Sequence, residues 1–161
     1  MDKKSLNPFV ARAMKLVLFV FALAVTTTLA QAEDMASMIS EYRRAHGLPA
    51  VRTDAQLTGI AQRQAHAMAA SGVMDHSVAG PFSARIAGAN ANAAAENIAM
   101  GTKTWAGTLQ LWKSSAGHNA NLLLPGATSV GVAVAHNAQT RYKTFWAMVI
   151  ARKGESRRRR R

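Results

Sequence analysis

The chain of 161 residues has no cysteine and sets 20 lysines and arginines against 8 aspartates and glutamates, a formal charge of +12. Disulfide staples and a cysteine-ligated metal are excluded, so an exported domain of this sequence must hold itself together by packing alone. Five of the positive charges are the run Arg157–Arg161, and a net three belong to the first 32 residues, which leaves a modest balance on the rest.

The first 32 residues read as a targeting segment rather than as fold. Met14-Lys15 precedes an apolar run from Leu16 to Ala30, 15 residues long, short of the roughly 20 that a spanning helix needs. Ala30-Gln31-Ala32 then supplies an A-x-A cleavage pattern. The expected organisation is a signal peptide over 1–32, with Met14 as an alternative start, one domain over 33–152 and a basic tail over 153–161. Such a leader directs the protein to a secreted or periplasmic location. The arginine run Arg157–Arg161 attracts polyanions. Export removes the usual nucleic-acid target, so no specific nucleic-acid partner is expected, and the domain is read as a monomer.

From Asp34, the apolar residues Met35, Met38, Ile39 and Tyr42 fall at helical spacing, with Gly47 placed to end the helix. Thr53-Asp54-Ala55-Gln56 has the form of a capping box, with Thr53 as N-cap and Gln56 reaching back. It opens a second helix with the stripe Leu57, Ile60, Ala61, Gln64 and Met68, which stops at Ser71-Gly72 and leaves His66 on the solvent side. Residues 73–103 break the period with glycines, Pro81 and many alanines, and predict loops with one short helical turn around Phe82 to Ile86. Trp105, Leu109, Trp112 and Ala116 restore the helical period, and Gly117 is the expected left-handed closing residue. After Pro125-Gly126 the period becomes two. Val130, Val132 and Val134, then Tyr142, Thr144, Trp146, Met148 and Ile150, predict two antiparallel strands joined through 136–141. Helices followed by strands indicate an α+β domain with a small antiparallel sheet.

Three polar residues stand out in small or apolar surroundings: His76, Glu96 and His118. Two imidazoles and a carboxylate make the N,N,O set of an open zinc site, although their separations match no local metal motif. His118 alone has a simpler explanation as an imidazolium favoured just past a helix C-terminus, with Asn119 and Asn121 as further caps. A serine-hydrolase reading would take Ser115 as nucleophile, His118 as base and Glu96 as the orienting acid. No G-x-S-x-G elbow surrounds Ser115, and no oxyanion hole is evident.

The order of motifs is more informative than any one of them: "YRRAHGLPAVRTDAQL", "DHS" followed by "FSARI", then "AENIA", "WKSSAGHNANLL", "VGVAVA" and "FWAMVIA". Over about residues 35–151 it resembles the CAP superfamily, the cysteine-rich secretory protein, antigen 5 and pathogenesis-related 1 group with its SCP domain, in a cysteine-free bacterial form. The resemblance implies a three-layer α-β-α sandwich and a polar cleft lined by His76, Glu96, Ser115 and His118. Ser115 stands where members with a full tetrad carry a second glutamate. His76 and His118 are then expected to hold zinc or another divalent metal loosely. The family's activity is unsettled; with the second acid absent at Ser115 and no nucleophile arrangement recognisable, the expectation is a binding or interaction module of unknown ligand, with a lipid or a cell-surface component as the candidate kind. The alternatives are a metal-dependent hydrolase of peptide or ester bonds with Glu96 as candidate catalytic residue, and an extracellular lipid or sterol binder.

Overall fold

The computed structural model describes residues 34–154. The predicted leader, its start and cleavage points, and the arginine run lie outside the described residues. No helix among the described residues is long and apolar enough to cross a membrane.

The sheet follows from the period-two stretches. β3 (Ser129–His136) and β4 (Thr144–Lys153) pair antiparallel, with Val132 opposite Met148. On the other side of β4 lies β2 (Ala91–Met100), antiparallel, with Glu96 opposite Val149. A two-residue strand, β1 (Arg52–Thr53), joins β3 in parallel, so the order is β1-β3-β4-β2. The sheet is therefore mixed rather than wholly antiparallel, and it has four strands where sequence periodicity predicts two. Tyr142 precedes β4 and is exposed instead of continuing its alternation.

Alternation sorts the strand side chains into two cores. Val130, Val132, Trp146, Met148 and Ile150 face a helical layer built from α1 (34–45), α4 (Trp105–Ser114) and α5 (Ala116–Leu122), where they meet Met35, Ile39, Leu109, Trp112 and Leu122. Ala133, Ala135, Phe145, Ala147, Val149 and Ala151 face α2 (Ala55–Ser71) through Leu57, Ile60, Ala61, Ala65 and Met68. The short α3 (Phe82–Ile86) packs on the same face through Phe82 and Ile86. Helices on both sides of one sheet make the expected α-β-α sandwich.

Two helix boundaries differ from expectation. The N-cap of α2 is Asp54, whose carboxylate accepts from Leu57 N at 3.0 Å, because Thr53 is drawn into β1 and Gln56 turns instead to Gly88 O. The helix predicted to run from Trp105 through Ala116 breaks at Ser115, which adopts an extended conformation and starts α5. Gly117 lies inside α5 and has no positive φ. The predicted turn of α1 at Gly47 does form, with φ +73°, and His66 is exposed as expected.

Arg43 is fully buried at the end of α1. Its guanidinium donates to Pro49 O, Leu122 O and Leu124 O at 3.0, 2.8 and 3.1 Å, so it satisfies the carbonyls where two connecting segments meet. Burial lowers its pKa from the ordinary arginine value.

Candidate functional site

β2 is an outer strand of the sheet, and its alternation places Glu96 toward the α2–α3 face and Asn97 toward the α4–α5 face. The candidate residues gather around this edge from both sides.

On the first face, Glu96 is 2% exposed in its side chain, and a carboxylate so buried must be paired. Arg85, near the end of α3 and only 5% exposed, grips it with both arms. Nη1 donates to Oε2 at 2.6 Å and Nη2 to Oε1 at 2.9 Å. The same Oε1 lies 2.8 Å from His76 Nδ1. His76 is 56% exposed, so its ring edge beyond that bond faces solvent. The loop that carries it is held by Gln64 of α2, which donates to Asp75 O at 2.7 Å, and by Arg85, which donates to His76 O and Gly80 O. Hydrogen bonds from Ser77 hold the Asp75 carboxyl below its ordinary range.

On the second face, Asn97 is fully buried and donates to His118 O at 3.0 Å. Asn121 closes the ring around the strand edge, donating to Asn97 Oδ1 at 2.9 Å and to Glu96 O at 3.2 Å. Tyr42 of α1 donates to Asn119 Oδ1 at 2.7 Å. Asn119 and Asn121 are thus tertiary connectors rather than helix caps. Trp112 is buried and donates to Ile98 O, which anchors α4 on β2 just before the break at Ser115.

His118 does not follow a helix C-terminus; it lies within the first turn of α5, and its Nδ1 sits 3.0 Å from Ser115 Oγ. A serine–histidine contact therefore forms, but Glu96 bonds the other histidine, so the three residues do not assemble into a relay. Burial lowers the His118 pKa from the ordinary imidazole value, and the nearby charge of His76 acts in the same direction. The unfolded chain therefore binds this proton at higher pH than the folded one. Stability is at its full value above the ordinary imidazole pKa, about 6.5, and falls as the pH drops from there toward the folded value. Urea midpoints for the His118→Asn variant should decline less than wild type between about pH 7 and pH 5; parallel declines would contradict this.

The donor chemistry decides how far a metal fits. Both Glu96 oxygens are engaged by Arg85 and His76, and among the described residues no group of three histidine, cysteine, aspartate or glutamate side chains is placed to hold a metal ion. The N,N,O set is not presented in this arrangement, and the imidazole Nε2 atoms of His76 and His118 are the nitrogens that remain. A groove of about 430 Å³ between α1 and β1, lined by Ser37, Arg44 and Arg52 among others, shares no residue with this cluster.

Sequence reasoning did not single out Arg85, Asn97 or Asn121 as site residues. For Arg85 the one available signal is a buried carboxylate in need of a cation, with "FSARI" the nearest preceding basic segment.

A model of the cysteine-rich secretory protein family, CAP, matches residues 36–150. No curated protein matches the chain significantly. Among solved structures, an extracellular protein containing an SCP domain from Bacillus anthracis is 25% identical, with a TM-score of 0.66 over 77% of this chain and 41% of that one. An outer surface protein of Borrelia burgdorferi is 17% identical, with a TM-score of 0.66 over 74% of this chain and 90% of that one. A cysteine-rich secretory protein of Staphylococcus aureus is 18% identical, with a TM-score of 0.60 over 77% of this chain and 38% of that one. The chain thus spans less than half the length of the Bacillus and Staphylococcus proteins.

Proposed function

Because the chain belongs to the cysteine-rich secretory protein (CAP) family, we propose that it is an exported binding module whose recognition edge is the pair of imidazoles His76 and His118, rather than a hydrolase. The Bacillus and Borrelia neighbours, described as extracellular and outer surface proteins, support export, as does the apolar leader. One observation carries the choice of class. Glu96 is clamped by Arg85 through both oxygens and is 2% exposed, so this carboxylate is not free to take a proton from water. Ser115 supplies no second acid.

Both imidazoles use Nδ1 internally, on Glu96 and on Ser115. That leaves Nε2 of each toward a ligand, and for His76 the bond to Glu96 is the carboxylate–histidine arrangement that favours accepting a hydrogen bond or coordinating a divalent cation through Nε2. Two imidazoles without a third protein donor make a weak metal site.

Two measurements on the purified protein test this reading. Calorimetric titration with zinc should show weak binding that disappears in the His76→Ala, His118→Ala double variant. A panel of peptide and ester substrates should show no turnover. Turnover abolished by Glu96→Gln would overturn the binding-module reading, and zinc binding unaffected by the double variant would remove the imidazole pair from it.

A further inference from the structure

We infer that Arg85 is a positioning residue of this cleft, the group that decides which nitrogen of His76 is turned toward a ligand. The inference rests on reading the cleft as a binding site edged by imidazoles, and it concerns a residue that touches the ligand-facing atoms only through others.

Arg85 is nearly buried, and its donors are spent on three separate parts of the chain. Nε donates to Gly80 O at 2.9 Å and Nη2 to His76 O at 2.8 Å, which ties down the loop at both ends. Nη1 and Nη2 take the two oxygens of Glu96 on β2. The Phe82 ring lies under the guanidinium, 5.3 Å from ring centroid to Cζ, and restricts its remaining freedom. A planar fork gripping both oxygens fixes the rotation of the carboxylate as well as its place.

That rotation has a consequence for His76. Glu96 Oε1 is held 2.8 Å from Nδ1, and a carboxylate paired with a guanidinium offers only lone pairs. The shared hydrogen must therefore sit on Nδ1, and the neutral ring carries its lone pair on Nε2, pointing away from Glu96. An unconstrained imidazole side chain prefers the opposite tautomer, with the hydrogen on Nε2. The hydrogen bond made by one ring nitrogen sets the state of the other. Arg85 thus converts His76 from a donor edge into an acceptor edge, and its grip on His76 O keeps the backbone aligned with that bond. A lysine at 85 would neutralise Glu96 but could not hold two carboxylate oxygens and two carbonyls in one plane.

The test reads the tautomer directly, by long-range proton–nitrogen correlation of the histidine rings in the nitrogen-15-labelled protein. In wild type, His76 should show a protonated Nδ1 and a pyridine-like Nε2. In Arg85→Lys and Arg85→Gln the two nitrogen shifts should exchange or average, while the His118 pattern stays as in wild type. A His76 pattern unchanged in folded Arg85→Lys would overturn the inference. If neither variant folds, wild type alone decides: nuclear Overhauser contacts between His76 Hδ1 and the Arg85 Nη protons are expected, and their absence, or an Nε2-protonated His76, would overturn it. The readout needs no ligand, so a cleft that binds nothing would refute the proposed function and leave the role of Arg85 intact, whereas an unchanged tautomer would do the reverse.

Discussion

Gly131→Ala is expected to be the most damaging single methyl in the domain. A Cβ at 131 would collide with Thr58 N and Leu57 C and sit 2.6 Å from Thr58 Cα. These are backbone atoms of the first turn of α2, which cannot swing aside as a side-chain tip would. The alanines at 133, 135, 147 and 151 that pack against α2 show why the approach is so close: this face of the sheet is surfaced with small side chains. Relief would require lifting α2 off β3, which reopens a packed core. A loss of about 3 kcal/mol or more is expected, read as a lowered urea midpoint. Gly117→Ala is the control. Gly117 is helical, and a Cβ added to it would meet nothing within 4 Å, so alanine there should stabilise by about 0.5–1 kcal/mol. Equal midpoints for the two variants would refute the close-approach argument.

Arg43→Met should cost several kcal/mol, at roughly 1–3 kcal/mol for each buried polar group left without its partner. Methionine fills much of the volume but leaves Pro49 O, Leu122 O and Leu124 O without their donor, and each orphaned buried carbonyl carries its own desolvation penalty. Arg43→Lys keeps the charge but cannot reach several carbonyls from one planar group, so it should recover only a minor part of the loss. A lysine variant as stable as wild type would show that charge alone, and not the fork, is what the junction needs. Because α5 is one of the segments held, both variants should also raise amide exchange in Asn119 to Leu122 ahead of global unfolding.

The difference between Arg43 and Gly131 illustrates what a single sequence reveals. Arg43 stands one residue beyond Tyr42 in "YRRAHG" and next to Arg44. One of these arginines is fully buried and the other exposed; the spacing from Ile39 puts Arg43 on the buried face, but only the path of 48–51 and the end of α5 supply the carbonyls that let a guanidinium stay there. Gly131 reads as a small residue alternating with valines; the helix lying against it comes from far earlier in the chain. Neither those carbonyls nor that helix is a local feature, and periodicity reports only local information.

β2 makes the same point from the other side. "ANAAAENIAM" contains alanine, asparagine and glutamate, which are poor in strands, so its own pattern does not mark it as one. Pairing with the apolar central strand β4 overrode that propensity. The break at Ser115 was equally hidden. Trp105, Leu109, Trp112 and Ala116 keep helical spacing, and the turn to an extended residue is imposed by the contacts of Ser115 with His118 and of α5 with Asn97.

The sequence by itself determined the faces of α1 and α2, the β3–β4 hairpin, the absence of cysteine chemistry and, through the order of its motifs, the family. Those features are written in side-chain period and composition, which act over a few neighbours. Only the tertiary structure decided that Glu96 answers to Arg85 rather than to both histidines. A buried carboxylate takes the partner that can surround it, and which cation that is depends on how α3 and the loop after α2 fold back over the strand.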